Sequence, residues 1–144
     1  ISDGMLSSFL LNCTTANRLG VSSNACAVRG SRSLPGAGAI ALAMAPGVGT
    51  AEQLRASVGD GLLVNSFTGL HSGVNPISGD FSVGADGLMI RNGQVAEPAR
   101  EITLASTIQR LLSGVIAVGG QLERLPSGSS MPWIVIDDVS LGGR

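Results

Sequence analysis

The chain has 144 residues, of which 44% are hydrophobic and 13% charged, and this balance excludes a highly charged, disordered chain. Nine arginines and no lysine stand against ten acidic residues, so the net charge of −1 provides no basic surface for binding nucleic acid. With three Phe, one Trp and no Tyr, the chain has too few aromatic side chains for base stacking or a membrane-interface belt.

The first part of the chain predicts a mixture of strands and short helices. Met5–Leu11 is an apolar run typical of a strand, and residues 14–20 have the polar start and final glycine of a short capped helix. Residues 21–38 are rich in turn formers and predict a long connection. Large and small apolar residues alternate over Ala39–Met44, which predicts a strand buried on both faces. Thr50 opens a capping-box pattern, so a helix of about two turns follows.

The middle of the chain predicts a hairpin preceded by an unusual loop. Residues 62–67 are strand-like, and residues 68–80 are dense in turn-forming residues. Phe81–Arg91 and Gln94–Leu104 have strand patterns. The dipeptide Asn92-Gly93 between them is the one preferred in a two-residue type I′ turn.

The last part of the chain completes the predicted fold class. Apolar residues recur from Ser106 at the spacing of one helical stripe, namely Ile108, Leu111, Leu112, Val115 and Ile116. Trp133–Ile136 is again β-like. Together these elements predict an α+β fold with about three short helices. Its core is expected to be a mostly antiparallel or mixed β-sheet, or to be barrel-like. Residues 1–144 are expected to form a single domain.

Candidate chemistry lies mainly in the 68–80 loop. His71 could act as a base toward a serine with Asp80 orienting it, but no Gly-x-Ser-x-Gly pattern supports this, and a loop histidine more often bonds within its own loop. One histidine and two cysteines without Cys-x-x-Cys spacing do not indicate a complete metal site within this chain. Asp137 and Asp138 are strand neighbours that point to opposite faces. We therefore predict no catalytic residue and no metal ligand in this chain.

The compartment follows from the cysteines and the lack of a targeting segment. Cys13 and Cys26 are too few for a disulfide framework, and both are expected to be small buried hydrophobic residues. The chain begins without a cationic or apolar leader, and its apolar runs are far shorter than the ~18–20 residues of a membrane span. We expect part of a longer, soluble, cytoplasmic protein.

Residues 61–85 carry the most specific pattern in the sequence. They read Gly-Leu-Leu-Val-Asn-Ser-Phe-Thr-Gly-Leu-His-Ser-Gly-Val-Asn-Pro-Ile-Ser-Gly-Asp-Phe-Ser-Val-Gly-Ala, which resembles the signature of the TldD/PmbA family. The resemblance continues through residues 87–93, 98–105 and 132–143. Residues 12–20 are similar to the family's short Ser/Thr-Ala-Arg/Lys-x-Leu-Gly helix. Nearly the whole chain is covered, and the resemblance implies the C-terminal domain of a longer protein, which the family's older label calls a modulator of DNA gyrase.

The resemblance implies a cytoplasmic protease pair in which a TldD subunit holds zinc through a His-Glu-x-x-x-His helix and a late cysteine. Residues 125–133 contain no such cysteine, and Leu70–Pro76 resembles the PmbA/TldE version of the loop. We therefore expect a PmbA/TldE-like subunit that holds no cofactor itself and forms an oligomer with a TldD-like zinc protease acting on extended peptides. Substrate or partner contact is expected at His71, Gly73, Asn75, Pro76, Gly79 and Asp80.

Two alternative functions follow from the same resemblance. The chain could be part of an active zinc peptidase whose ligands lie upstream of Ile1, although the missing late cysteine disfavours this. The family's label as a gyrase modulator implies a regulator of DNA topology, which the net charge of −1 and the lack of a basic stripe disfavour.

Overall fold

The computed structural model describes residues 5–40, 43–125 and 128–143. The helices in these ranges are α1 (Cys13–Leu19), α2 (Ala51–Ser57) and α3 (Ile108–Ser113). The strands are β1 (Ala27–Val28), β2 (Gly36–Ala37), β3 (Gly61–Thr68), β4 (Asp80–Arg91), β5 (Gln94–Thr107), β6 (Val115–Arg124), β7 (Ser130–Ile136) and β8 (Ser140–Gly142). The chain divides into two compact units, residues 1–43 with 124–130, and residues 44–123 with 131–144.

The first unit contains the predicted short helix. The buried side chain of Asn12 accepts a hydrogen bond of 2.8 Å from the Thr15 backbone N–H, and the Thr15 hydroxyl accepts one of 3.0 Å from the Asn12 N–H. This reciprocal pair satisfies two N–H groups that helix geometry leaves without partners. Gly20 ends the helix in the left-handed conformation at φ 68°. The capped helix over residues 14–20 is therefore confirmed.

The strand predicted at Met5–Leu11 is wrong for residues 6–11, which are irregular. A side chain takes the place of a neighbouring strand there. Asn24 Oδ1 accepts a 2.8 Å hydrogen bond from the Leu11 N–H, and Asn24 Nδ2 donates one of 2.8 Å to the Phe9 carbonyl. Leu6, Phe9 and Leu10 of this segment are exposed, and Leu11 is half-buried.

The buried strand predicted over Ala39–Met44 also fails where the structure describes it. Ala41 and Leu42 lie outside the described residues. Ile40 is 85% exposed, and Ala43 makes an isolated parallel bridge to Ser130. The expectation of buried cysteines is wrong for Cys13, which is exposed because α1 buries Ala16 instead, while Cys26 is half-buried.

The second unit contains a four-stranded antiparallel sheet in the order β3-β4-β5-β8 and a two-stranded sheet of β6 and β7. Asn92 and Gly93 have φ of 49° and 75°, so the predicted type I′ hairpin between β4 and β5 is confirmed. Alternate residues of β4 and β5 form the core. Phe81, Val83, Ala85 and Leu104 are buried there, with Leu62, Val64, Val74, Leu111 and Val139 packed against them.

The predicted helical stripe is cut short. α3 ends at Ser113, and Val115 begins β6. Gly114 is the C-cap of α3, and the chain passes close to Asp137 at this point: a Cβ at Gly114 would lie 2.7 Å from the Asp137 carbonyl oxygen. Leu111 of the stripe packs on the core, whereas Leu112 is 68% exposed.

The α+β class with a strand-rich core is confirmed, and the sheets of the described residues are open rather than closed into a barrel. The capping box at Thr50 is present, and the α2 residue Leu54 is buried. Among the described helices, none has the length and apolar character needed to cross a bilayer. One domain over residues 1–144 stays a prediction.

Candidate partner and peptide interface

The last residues of β3 form an open sheet edge. In the described part of the chain, β3 is an outer strand of the four-stranded sheet and pairs with β4 along one of its sides. A register shift between Val64 and Ser66 interrupts this pairing, and residues 65–68 are exposed. An outer strand presents N–H and C=O groups that a further strand can pair with. The outer side of β3 therefore presents backbone groups with which a further strand could pair.

The loop that follows β3, residues 69–80, folds back on β4 as an ordered structure. The Gly73 N–H donates to the Gly69 carbonyl at 2.7 Å, and the Gly73 carbonyl accepts from the Ser82 N–H at 2.7 Å. The Asn75 N–H donates to the Asp80 carbonyl at 2.8 Å. These bonds give backbone partners to a segment whose turn-forming composition indicated only a loop.

Side chains fix the tip of this loop. Asn75 Oδ1 accepts hydrogen bonds from the N–H groups of Ile77 at 2.9 Å and Ser78 at 3.3 Å. The Ser78 hydroxyl donates to Asp80 Oδ2 at 2.7 Å. Gly79 has φ 80°, a conformation that other residues rarely adopt, and its N–H donates to the Asn75 carbonyl at 2.9 Å. Asn75, Gly79 and Asp80 thus build the tip.

The start of α3 supports the tip from one side. The Ile108 N–H donates to the Gly79 carbonyl at 2.8 Å, and Gln109 Nε2 donates to the Ser78 carbonyl at 3.4 Å. The loop is therefore tied both to β4 and to a helix.

The six residues predicted for contact thus differ in what the structure does with them. The hydrogen bonds that shape the loop are made by Gly73, Asn75, Gly79 and Asp80. Asn75 and Asp80 are nevertheless exposed, as are His71 and Pro76. An open depression of about 640 Å³ runs along the loop, lined by Ser72, Gly73, Val74, Asn75, Pro76, Asp80, Phe81 and Ser82. His71 is outside this lining.

Sequence reasoning missed Ile77, which is 95% exposed at the tip. An isolated aliphatic residue carries no chemical motif. The available signal was its position, because an Asn-Pro-x-Ser-Gly-Asp turn has no interior face toward which the side chain could point.

A second depression, of about 290 Å³, lies on the same sheet. Its lining includes Leu62, Met89 and Ile102, and Arg91 and Glu97 form an ion pair of 3.0 Å at its rim. The pKa of Glu97 is lowered, first by a hydrogen bond from its own backbone and then by Arg91. Both side chains are exposed, so the pair adds little to stability.

The described residues do not fit a metal site. Within residues 5–40, 43–125 and 128–143, no three His, Cys, Asp or Glu side chains are placed to share a metal ion. We derive no chemical step through a metal for this chain.

The described residues thus combine a strand-rich α+β fold with an ordered loop beside an outer strand. Residues 1–143 match the family model of the PmbA/TldA metallopeptidase C-terminal domain. The chain therefore belongs to this family, and the TldD/PmbA resemblance is confirmed.

Among curated proteins, the chain is similar to Metalloprotease PmbA of Escherichia coli O157:H7. The two are 33% identical over 124 residues, which cover 85% of this chain and 25% of the relative. It is also similar to a Metalloprotease PmbA homolog of Haemophilus influenzae, at 30% identity over 148 residues, covering 100% of this chain and 30% of that protein.

Two solved structures show the same fold. TldE from Thermococcus kodakarensis superposes with a TM-score of 0.88 at 25% identity, covering 97% of this chain and 32% of that one. A candidate modulator of a DNA gyrase from Thermotoga maritima superposes with a TM-score of 0.86 at 27% identity, covering 96% and 31%. The chain spans a quarter to about a third of the length of these relatives.

Proposed function

We propose that this chain is the C-terminal domain of a PmbA/TldE-type subunit that assembles with a TldD-like zinc metalloprotease and helps it act on extended peptides. β3 pairs with the backbone of the peptide, and the 69–80 loop contacts the peptide or the partner. The zinc belongs to the partner subunit. The pair works in the cytoplasm, and this chain contributes binding rather than a reacting group.

The observation that carries this proposal is the continuity between β3 and the loop. The exposed end of the outer strand, residues 65–68, runs directly into a loop whose conformation is already fixed by hydrogen bonds. Strand addition reads the backbone of a peptide, so it suits substrates of varied sequence in extended form. A fixed loop beside the edge lowers the ordering cost of binding.

Hydrogen exchange on the assembled pair tests the proposal. The partner is inactivated by exchanging its zinc-binding histidines, and an unfolded peptide is added in excess. We expect slower amide exchange in residues 61–68 when the peptide binds, and slower exchange in residues 69–80 when the partner binds. β8 is the matched control, because it is the outer strand at the opposite side of the same sheet.

Protection of β8 instead of β3 would place the peptide on the other edge and refute the assignment of β3. Failure of the two proteins to associate at all would refute the assembly itself.

A further inference from the structure

The turn between β4 and β5 contains a chemically reactive pair, Asn92-Gly93. An asparagine followed by glycine loses its side-chain amide more readily than other asparagines, because glycine has no side chain to hinder attack by its backbone nitrogen. The other asparagines of the chain precede Cys13, Arg18, Ala25, Ser66 and Pro76. Asn92 is therefore the asparagine that the sequence marks as most reactive.

The reaction places a strict requirement on the backbone. The Gly93 nitrogen bonds to Asn92 Cγ, the bond from Cγ to Nδ2 breaks, and ammonia leaves with the proton of the attacking nitrogen. Water then opens the cyclic succinimide that remains. Opening at Cγ gives aspartate, whereas opening at the main-chain carbonyl carbon gives isoaspartate. The Gly93 nitrogen must therefore be released from other partners and turned toward the side chain of Asn92.

The fold holds this nitrogen in another direction. The Gly93 N–H donates to the Gly59 carbonyl at 2.9 Å, and the Asn92 N–H donates to Asp60 Oδ1 at 3.2 Å. We call these two hydrogen bonds the turn clasp. Gly93 also lies close to the end of α2, because a Cβ there would be 2.9 Å from the Ala56 carbonyl oxygen. All of these residues belong to the second unit.

We propose that Asn92 is the deamidation site of this chain and that the turn clasp sets the rate of the reaction. Asn92 is exposed, so water reaches the succinimide once it has formed. The succinimide forms only when the turn leaves the clasp, because the closed clasp keeps the Gly93 N–H on the Gly59 carbonyl. The reactants are one side chain, one backbone nitrogen and water, so this inference is independent of the proposed function.

Both products weaken the turn in which they form. Isoaspartate adds a methylene to the main chain of a two-residue turn, which disturbs the pairing of Arg91 with Gln94 and of the buried Ile90 with Val95. Aspartate adds a negative charge beside the Asp60 carboxylate. Deamidation is therefore a one-way change that loosens the end of the hairpin.

The first test follows fragments of the protein, expressed from its complete reading frame, by mass spectrometry during incubation in warm, mildly alkaline buffer. Deamidation changes the fragment mass, whereas isomerisation of Asp60 or Asp86, which also precede glycine, leaves it unchanged. We expect Asn92 to react before the other asparagines of this chain and to give more isoaspartate than aspartate. Direct hydrolysis of the side chain gives aspartate alone. Earlier reaction at another of these asparagines, or aspartate without isoaspartate, would overturn the proposal.

The second test removes one half of the turn clasp. Asp60→Ala deprives the Asn92 N–H of its acceptor, and deamidation should be about fivefold faster, the factor that corresponds to one net hydrogen bond. Asp86→Ala is the matched control, because Asp86 Oδ1 accepts the Glu101 N–H at 2.9 Å in the same hairpin but away from the turn. It should change the rate less than about twofold. An unchanged rate in Asp60→Ala, or equal acceleration in both variants, would refute control by the clasp.

A third measurement needs no variant. Denaturant opens the clasp, and two net hydrogen bonds correspond to a factor of up to about 30, so Asn92 of the denatured wild-type protein should react at least about tenfold faster than in the folded protein. Equal rates in the folded and denatured protein would overturn the protective role of the fold. Absence of reaction at Asn92 in the denatured protein would overturn the site itself.

Discussion

Gly73 is the position where a single methyl group should undo the loop without touching its exposed residues. A Cβ at Gly73 would lie closer than 3.0 Å to the Ser82 carbonyl oxygen and 3.0 Å from the Gly69 carbonyl oxygen. Both neighbours are backbone atoms, so neither can rotate away as a flexible side chain would. Gly73→Ala therefore forces the loop away from β4.

The magnitude follows from what that movement breaks. Two backbone hydrogen bonds of 2.7 Å, from Gly73 to Gly69 and from Ser82 to Gly73, would lengthen. Each contributes about 1 kcal/mol net, so lengthening both costs about 1 kcal/mol in total, and overpacking adds about 1–3 kcal/mol more. Because Val74 bridges the buried core residue Phe81, the strain also reaches the core. We expect a loss of about 2–4 kcal/mol in the free energy that keeps the loop closed.

Hydrogen exchange with mass spectrometry measures this free energy locally. A loss of 2–4 kcal/mol corresponds to exchange about 30- to 700-fold faster in peptides covering residues 69–82. Gly59→Ala is the matched control, since a Cβ there meets no atom within 4 Å and its φ is not positive. It should leave exchange unchanged or slightly slower. Wild-type exchange in Gly73→Ala would refute the close-packing argument.

Two further predictions concern the β4–β5 hairpin. The pKa of Glu97 is lowered below 4.5, first by its own backbone and then by Arg91, so its contribution to stability is present above pH 4.5 and is lost as pH falls through the lowered pKa. In an NMR titration of the Glu97 carboxyl, Arg91→Gln should raise this pKa toward 4.5 without reaching it, because the backbone hydrogen bond remains. An unchanged pKa would mean that Arg91 does not stabilise the Glu97 carboxylate. Glu101 has a left-handed backbone with φ 55°, which is strained for a residue with a side chain, and its N–H donates to Asp86 Oδ1 at 2.9 Å. Glu101→Gly removes this strain and should stabilise the protein by about 0.5–1 kcal/mol. A lower melting temperature would contradict the strain at that position.

The elements predictable from the sequence are those determined by neighbouring residues. Asn12 and Thr15 cap α1 within one helical turn, and Asn92-Gly93 determines the hairpin through two positive φ angles. In both cases the residues that interact lie within a few positions of each other. The polar and glycine chemistry of the 68–80 loop is local in the same way, so the sequence indicates its turns. Contact of its residues with a substrate or partner stays a prediction.

The failed predictions concern apolar residues whose neighbours are distant or absent. The run at residues 6–11 satisfies its backbone with the Asn24 side chain, and no local pattern announces that pairing. Leu112 and Ile116 continue a helical stripe in the sequence, yet both are exposed and Ile116 lies in β6. Hydrophobic periodicity reports residues that avoid water but does not say whether a core or another protein covers them.

Substitutions at Gly73 and Ile77 distinguish the effect of the loop's backbone shape from the effect of the side chain exposed at its tip. Gly73→Ala moves the loop while the chemical identity of every exposed side chain is unchanged, whereas Ile77→Ser removes an exposed side chain from a turn whose bonds are made by Asn75 and Gly79. Loss of partner binding in both variants means that the partner requires Ile77 in its fixed position. Loss only in Gly73→Ala means that the partner reads the loop backbone. A partner contact through the Ile77 side chain requires the first pattern, because such a contact depends on the side chain and on its preorganisation together.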